Sequence, residues 1–228
     1  MDALVNELMK ELNCDTVFTI PVLGGIPVKE SVVVTWIIMA VILVLCIALT
    51  RNLSVENPSR GQIILETIVS GGHNFFKDTL GEHGAEYIPY LMTVTLYIGI
   101  ANLIGLLGFK PPTKDMNVTA ALAFMSIVLI EVAGIRQKGA KGWVKSFAEP
   151  IPIILPINIM EIFIKPLSLC MRLFGNVLGS FVIMELLKLL VPAVLLAVFS
   201  CYFDIFDGLL QAYVFVFLTS LFIKEATE

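Results

Sequence analysis

Pro166-Leu-Ser-Leu-Cys-Met-Arg-Leu-Phe-Gly-Asn176 places a single arginine, Arg172, in an apolar stretch, and no charge follows from Leu173 to Met184. An arginine at the centre of a membrane helix costs about 2.5–3.5 kcal/mol on insertion scales. It cannot shed its proton to escape, because the guanidinium stays charged in proteins. A chain that keeps such a group needs a carboxylate or a water-filled pocket opposite it. The stretch therefore reads as part of a membrane protein that handles charge.

Composition agrees. The chain of 228 residues is 57% hydrophobic and 15% charged, with mean hydropathy +0.91, far from the soluble average. A net charge of -4 gives no reason to expect nucleic acid. Cys14, Cys46, Cys170 and Cys201 have no metal-ligand spacing, and three of them lie in apolar segments, where cysteine serves as a small buried hydrophobe. His73 and His83, the only histidines, cannot build a metal site alone. No cofactor or metal is expected. The first apolar run begins only near Val32, without a basic n-region or cleavage site, so no cleaved signal peptide is read.

Outward from the arginine, the chain divides into runs long enough to cross a bilayer. Residues 1–31 precede the first run, Val32 to Thr50, which Arg51 stops. Residues 88–135 hold two more, Ile88 to Phe109 and Val118 to Ile135, the latter with the single charge Glu131. Leu195 to Ile223 is a final run carrying Asp204 and Asp207. Ile151 to Leu190 is too long for one upright span: as a helix it would reach about 60 Å. Two spans, a re-entrant segment or one very oblique helix all fit. Residues 58–80 differ: Ile64, Leu65, Ile68, Val69, Phe75 and Phe76 recur at helical spacing among polar groups. This predicts an amphipathic helix at the interface, opened by Asn57-Pro58 as N-cap and first turn and breakable at Gly71-Gly72.

Basic residues orient these segments. With five crossings and the N-terminus outside, Arg51, Arg60, Lys77, Arg136, Lys138, Lys141, Lys145 and Lys224 fall on the cytoplasmic side, and Lys10, Lys29, Lys110, Lys114 and Lys188 outside. The Arg136 to Lys145 loop, rich in bases and free of acids, is the strongest vote. The expected class is an all-α integral membrane protein of about five crossing helices plus one interfacial helix.

At about 100° per residue, Glu161, Lys165, Ser168, Arg172 and Asn176 share one face of their helix, bordered by Gly175 and Gly179. Such a stripe suits a close-approach, charge-bearing interface, although small residues four apart also serve ordinary helix packing. Glu161 and Lys165 have the spacing of a neutralising pair. Arg172 has no acid four residues away on either side, and the final run offers candidate partners. There Asp204, Asp207, Gly208, Gln211 and Phe215 fall on one face, expected toward a bundle interior or aqueous cavity. Glu185 and Lys188 project away from the Arg172 stripe, lining something behind it or pairing at the membrane edge.

Lys165-Pro-Leu-Ser-Leu-Cys-Met-Arg-Leu-Phe-Gly-Asn176 resembles the signature of subunit a of F-type ATP synthases, the stator component beside the rotating ring of c subunits. Pro112-Thr-Lys-Asp-Met-Asn-Val-Thr119 resembles that family's motif at its fourth helix. Asp204 and the run Leu209-Leu-Gln-Ala-Tyr-Val-Phe-Val-Phe-Leu-Thr219 resemble its C-terminal helix, and the likeness extends from about Thr35 to Ile223. The resemblance implies a tilted helix and the final helix, within 151–223, paired as a hairpin against the ring. It matches Arg172 to the essential arginine and Gln211 to the glutamine facing it. Asp204 falls where relatives carry Glu or His. The acid often found nine residues after the arginine is Phe181 here, with Glu185 a turn later.

The resemblance also implies a non-catalytic, ion-translocating subunit, with a c-ring, peripheral-stalk b subunits and the rest of the ATP synthase complex as partners. Its place would be a bacterial plasma membrane or an organellar inner membrane. In this reading Arg172 attracts the ionised ring carboxylate and keeps two aqueous half-channels from short-circuiting. Asn176, Gln211, Asp204, Glu185, Asp207, Asp115 and Asn117 are the candidate ion path, and Ser168, Gly175 and Gly179 the ring interface. Asp115 or Asn117 could equally cap a helix. The rival reading is a self-contained secondary transporter or channel whose Arg172 binds an anionic substrate. An intramembrane enzyme lacks a credible catalytic set.

Overall fold

A computed structural model describes residues 16–21, 26–51, 53–54, 58–107, 109–146, 153, 155–190 and 193–227. A short antiparallel hairpin, β1 (Thr16–Ile20) and β2 (Ile26–Lys29), precedes the helices. These are α1 (Glu30–Thr50), α2 (Arg60–Leu80), α3 (Ile88–Leu103), α4 (Met116–Ser146), α5 (Leu155–Leu190), α6 (Ala193–Ser200) and α7 (Gly208–Thr227). A π-helical segment, Cys201–Asp207, joins α6 to α7. Among the described residues, five helical stretches are long and apolar enough to cross a membrane: Glu30–Thr50, Gly84–Leu106, Met116–Trp143, Leu155–Lys188 and Val198–Thr227. The all-α membrane architecture is as the sequence led us to expect.

The long fifth region resolves as one helix. α5 runs unbroken for 36 residues with Pro166 inside it, about 54 Å at 1.5 Å per residue. That is well beyond a hydrocarbon core of about 30 Å, too long for an upright helix to lie wholly within it. It packs on α4 and α7 through Leu169, Leu173 and Val177, where Ile127, Ile130 and Phe215 complete the core. The opposite face of α5 carries Phe163, Leu167 and Met171 outward. α1 is anchored by Val34 and Ile38 against Ala101 and exposes Trp36, Leu43, Val44 and Ile47, a surface suited to lipid rather than water.

Three local readings are corrected. Helix α2 begins at Arg60, not Pro58: Ser59 is the N-cap, its hydroxyl accepting the Gln62 N–H at 3.2 Å, and Asn57 lies outside the described residues. Gly71-Gly72 does not break α2. A Cβ on Gly72 would lie 3.2 Å from the Met92 methyl, so the glycine permits close packing on α3. The basic 136–145 segment is helical rather than an open loop. α4 continues to a kink at Gly139, whose φ of 73° suits glycine. The turn folds Trp143 back so that its indole N–H donates to Glu131 at 2.9 Å, satisfying the one acid of that span.

The final run is also not one uniform α-helix. Placing Asp204 and Asp207 on a single α-helical face with Gln211 assumed a constant 3.6-residue turn. The i→i+5 bonding of the π segment widens that turn and splays the two carboxyls to different partners. Asn102 fastens the junction, donating to the Gly208 carbonyl at 2.9 Å while accepting from Thr113 at 2.8 Å. Gly208 makes this possible, since a Cβ there would sit 3.0 Å from the Asn102 Cβ.

Candidate functional site

Arg172 lies midway along α5 on an exposed face with Ser168, Gly175 and Asn176. Nothing lies within 4 Å of where a Cβ would stand on Gly175 or Gly179, so this face is open to a neighbour. Arg172 makes no hydrogen bond or ion pair with any described residue. The expectation that Asp204 or Asp207 would neutralise it within the chain is therefore corrected. The widened π turn directs those carboxyls elsewhere, and the guanidinium faces outward.

One turn on from Arg172, α5 is joined by polar rungs to α7 and to the π segment that precedes it. Asn176 Nδ2 donates to Gln211 Oε1 at 2.6 Å, and Ser180 Oγ donates to Asp207 Oδ2 at 3.0 Å. Four residues forward on α5 match four residues back on the opposing strand of the hairpin, the register of an antiparallel pair. Gln211 is buried, and its Nε2 has no hydrogen-bond partner among the described residues. A buried donor left so costs about 1–3 kcal/mol.

Beyond the second rung a cavity of about 550 Å³ opens at the end of the hairpin that bears the α5–α6 turn. Glu185, Asp204 and Asp207 all line it, with Lys110, Lys188 and Phe181. Asp204 accepts from the Ser200 hydroxyl on its own helical segment, and Glu185 pairs with Lys188. Glu185 and Lys188 thus both pair with each other and line a cavity away from Arg172. Lys114, buried, holds its ammonium 4.3 Å from the Phe181 ring centre, a cation–π contact.

A second cavity, about 200 Å³, opens at the opposite end of the hairpin. Lys165 bridges Glu161 at 3.4 Å and Glu225 at 3.1 Å there, and Glu131 lines it as well. The Glu161–Lys165 pair was legible from spacing; Glu225 was not, since near the terminus it reads as a solvated charge. Ser180 was missed too, because a serine in an apolar helix gives no signal until the helix opposite is registered against it. Among the described residues no group of His, Cys, Asp and Glu could hold a metal ion.

Asp115 and Asn117 lie apart from both cavities. Asp115 starts α4, accepting from the Asn117 backbone N–H at 3.0 Å and its side-chain amide at 3.1 Å. It also takes the Ser31 hydroxyl at 2.7 Å and lies 3.7 Å from the Lys29 ammonium. Burial of Asp115 opposes its ionisation, but these hydrogen bonds and Lys29 outweigh it, holding the carboxyl below its ordinary range. The geometry is that of a cap which also ties α1 to α4; the Asn117 side chain is exposed.

Comparison with known proteins follows this geometry. The family described as ATP synthase A chain matches residues 32–224. ATP synthase subunit a of Moorella thermoacetica is 37% identical over 204 residues, covering 89% of this chain and 93% of the relative. The protein of the same name from Legionella pneumophila is 33% identical, with 90% of each chain covered. ATP synthase subunit a 2 of a Bradyrhizobium species is 36% identical, over 90% of this chain and 91% of its own.

Proposed function

Since the chain belongs to the ATP synthase A chain family, we propose that it is the stator channel of a rotary ATP synthase, passing ions to and from a c-ring. The observation that carries this reading is the position of Arg172. It stands exposed and without a partner among the described residues, followed by Gly175 and Gly179, between two cavities lined by charged side chains that open at opposite ends of one helix hairpin.

The mechanism follows from electrostatics. A ring carboxylate that carries its ion is neutral and gains nothing from the guanidinium, whereas an ionised one is attracted. Arg172 therefore forces each ring site to release its ion before passing. It also repels cations that would otherwise run between the cavities. The larger cavity, with Glu185, Asp204 and Asp207, is the outer half-channel, and the smaller one, with Glu161, Lys165 and Glu225, the cytoplasmic one. Asn176 and Gln211 border the exchange point. One charge crossing 100 mV yields about 2.3 kcal/mol, so several must pass for each ATP made.

Ser168, Gly175 and Gly179 are the ring-facing surface, and b subunits and the remaining complex complete the assembly. The chain lies N-terminus outside and C-terminus cytoplasmic in a bacterial plasma membrane. The test is purification: the chain should copurify with a ring of small two-helix subunits and conduct ions only with that ring. Flux through the purified chain alone in vesicles would instead favour the self-contained transporter.

A further inference from the structure

We propose that Asp207 is the carboxyl that hands the proton from the larger cavity to the ring, in place of the acid absent at Phe181. The proposal rests on the stator reading above. Three acids line that cavity, and their partners separate them. Glu185 is held by the Lys188 ammonium. Asp204 is held by Ser200 within its own helical segment, and a Cβ on Gly105 would stand 3.3 Å from its Oδ1. Among the described residues, Asp207 is the one of the two aspartates that reaches across to α5, through Ser180 at 3.0 Å.

Ser180 adjoins Phe181, so Asp207 presents a carboxyl to α5 beside the position where its own sequence offers a phenyl ring. The charges around the cavity suit an acid that cycles: Lys110 and Lys188 line it, and the Lys114 ammonium rests on Phe181. The next rung toward Arg172 supplies an independent sign that something must arrive there. Gln211 is almost wholly buried, yet its Nε2 has no acceptor among the described residues. An incoming carboxylate oxygen or water at that rung, between Asp207 and Arg172, would complete it.

The step balances without any co-reactant outside the proposal. Protonated Asp207 gives its proton to the ionised ring carboxylate, leaving Asp207 anionic and the ring site neutral. A hydronium in the cavity then reprotonates Asp207 and becomes water. Ser180 donates to the anionic form and holds it in place between transfers.

The experiment uses the whole complex in sealed vesicles, in sodium-free buffer, following ATP-driven acidification. Asp207→Asn keeps the shape and can still accept from Ser180 but carries no proton, so pumping should fall at least about tenfold. Asp207→Ala combined with Phe181→Glu should recover to within about threefold of the parent, returning an acid to the same place. A merely structural role predicts the reverse: a working asparagine and no rescue by glutamate. Normal pumping by Asp207→Asn while Arg172→Ala is dead would overturn the proposal and leave the stator reading standing. Normal pumping by Arg172→Ala would remove both. If Asp207→Asn lowers the amount of complex, Ser180→Ala replaces it as the test, with pumping expected to drop about threefold and an unchanged rate overturning the proposal. A requirement for sodium would overturn it as well, since no proton would then be carried.

Discussion

In the larger cavity Asp204 and Asp207 each accept a serine hydroxyl, and Glu185 meets the Lys188 ammonium. In the smaller one Glu161 and Glu225 share Lys165, and Glu131 takes an indole N–H. A lysine between two carboxylates cancels charge; a hydroxyl leaves the carboxylate its charge and its remaining lone pairs. In the proposed reading the acids of the larger cavity are therefore the ones that exchange ions, whereas those of the smaller are held still by their partners. Arg172 sits between them on an open face. The two ends of one hairpin should accordingly respond very differently to loss of an acid.

The largest effect belongs to the residue that separates the cavities. Arg172→Ala and Arg172→Lys should both abolish ion-driven ATP synthesis in sealed vesicles while the complex still assembles. Lysine fails because its ammonium is compact, strongly hydrated and able to lose its proton when buried. Near-normal synthesis by either would erase the distinction between two half-channels.

Next comes the larger cavity itself. Asp204→Ala should slow coupled flux several-fold, because it removes a carboxylate that lines the cavity while leaving Asp207 in place. Unchanged flux would mean that the cavity is no conduit. On the open face, Gly175→Leu or Gly179→Leu should cut ATP-driven rotation or yield of complex several-fold. Added volume at a packed interface is poorly accommodated, although within the described residues a Cβ at either position has nothing within 4 Å. If both leucine enzymes turn over normally, no partner meets that face.

The smaller cavity should be forgiving. Glu225→Gln leaves Lys165 its bond to Glu161, and an ion pair whose carboxylate is exposed contributes only about 0–1 kcal/mol. Flux in vesicles should stay within about twofold of the parent. A loss as deep as that of Asp204→Ala would show that the two ends do not differ in kind.

How much of this was legible depends on whether a signal was local. Arg172 announced itself, because a permanent charge in hydrocarbon has few explanations, and four of the apolar runs followed from their length, whereas length left open whether Ile151 to Leu190 was one helix or two. Ser59 was legible in principle, since Ser59-Arg-Gly-Gln62 has the spacing of a capping box; Asn57-Pro58 simply looked like an equally good start. The π segment was not legible. Cys201–Asp207 reads as a continuation of helix, and its widening is fixed by tertiary contacts such as Asn102 to Gly208. The Ser180–Asp207 rung spans 27 residues and exists only once the register of two helices is known. The shared role of Lys165 likewise needed the C-terminal helix placed beside α5.

The smallest effect lies outside both cavities, and it tests whether Asp115 is a structural anchor rather than part of the path. Its folded carboxyl sits below the ordinary range because Ser31, Asn117 and Lys29 favour the ionised form over the opposing cost of burial. A lowered folded value makes a stabilising contribution that is complete above the unfolded value, near pH 4. That contribution is lost as pH falls through the folded value. Thermal unfolding of the purified complex should therefore show Asp115→Asn less stable than the parent at neutral pH, by roughly 1.5–3 kcal/mol for hydrogen bonds to a charged group. The gap should close as the pH drops below about 4. Comparing the two proteins isolates this group from the other carboxylates that titrate in the same window. Ion flux through Asp115→Asn should remain that of the parent at neutral pH. A gap that persists unchanged in acid would show that ionised Asp115 is not what ties α1 to α4, and a lost flux would return Asp115 to the ion path.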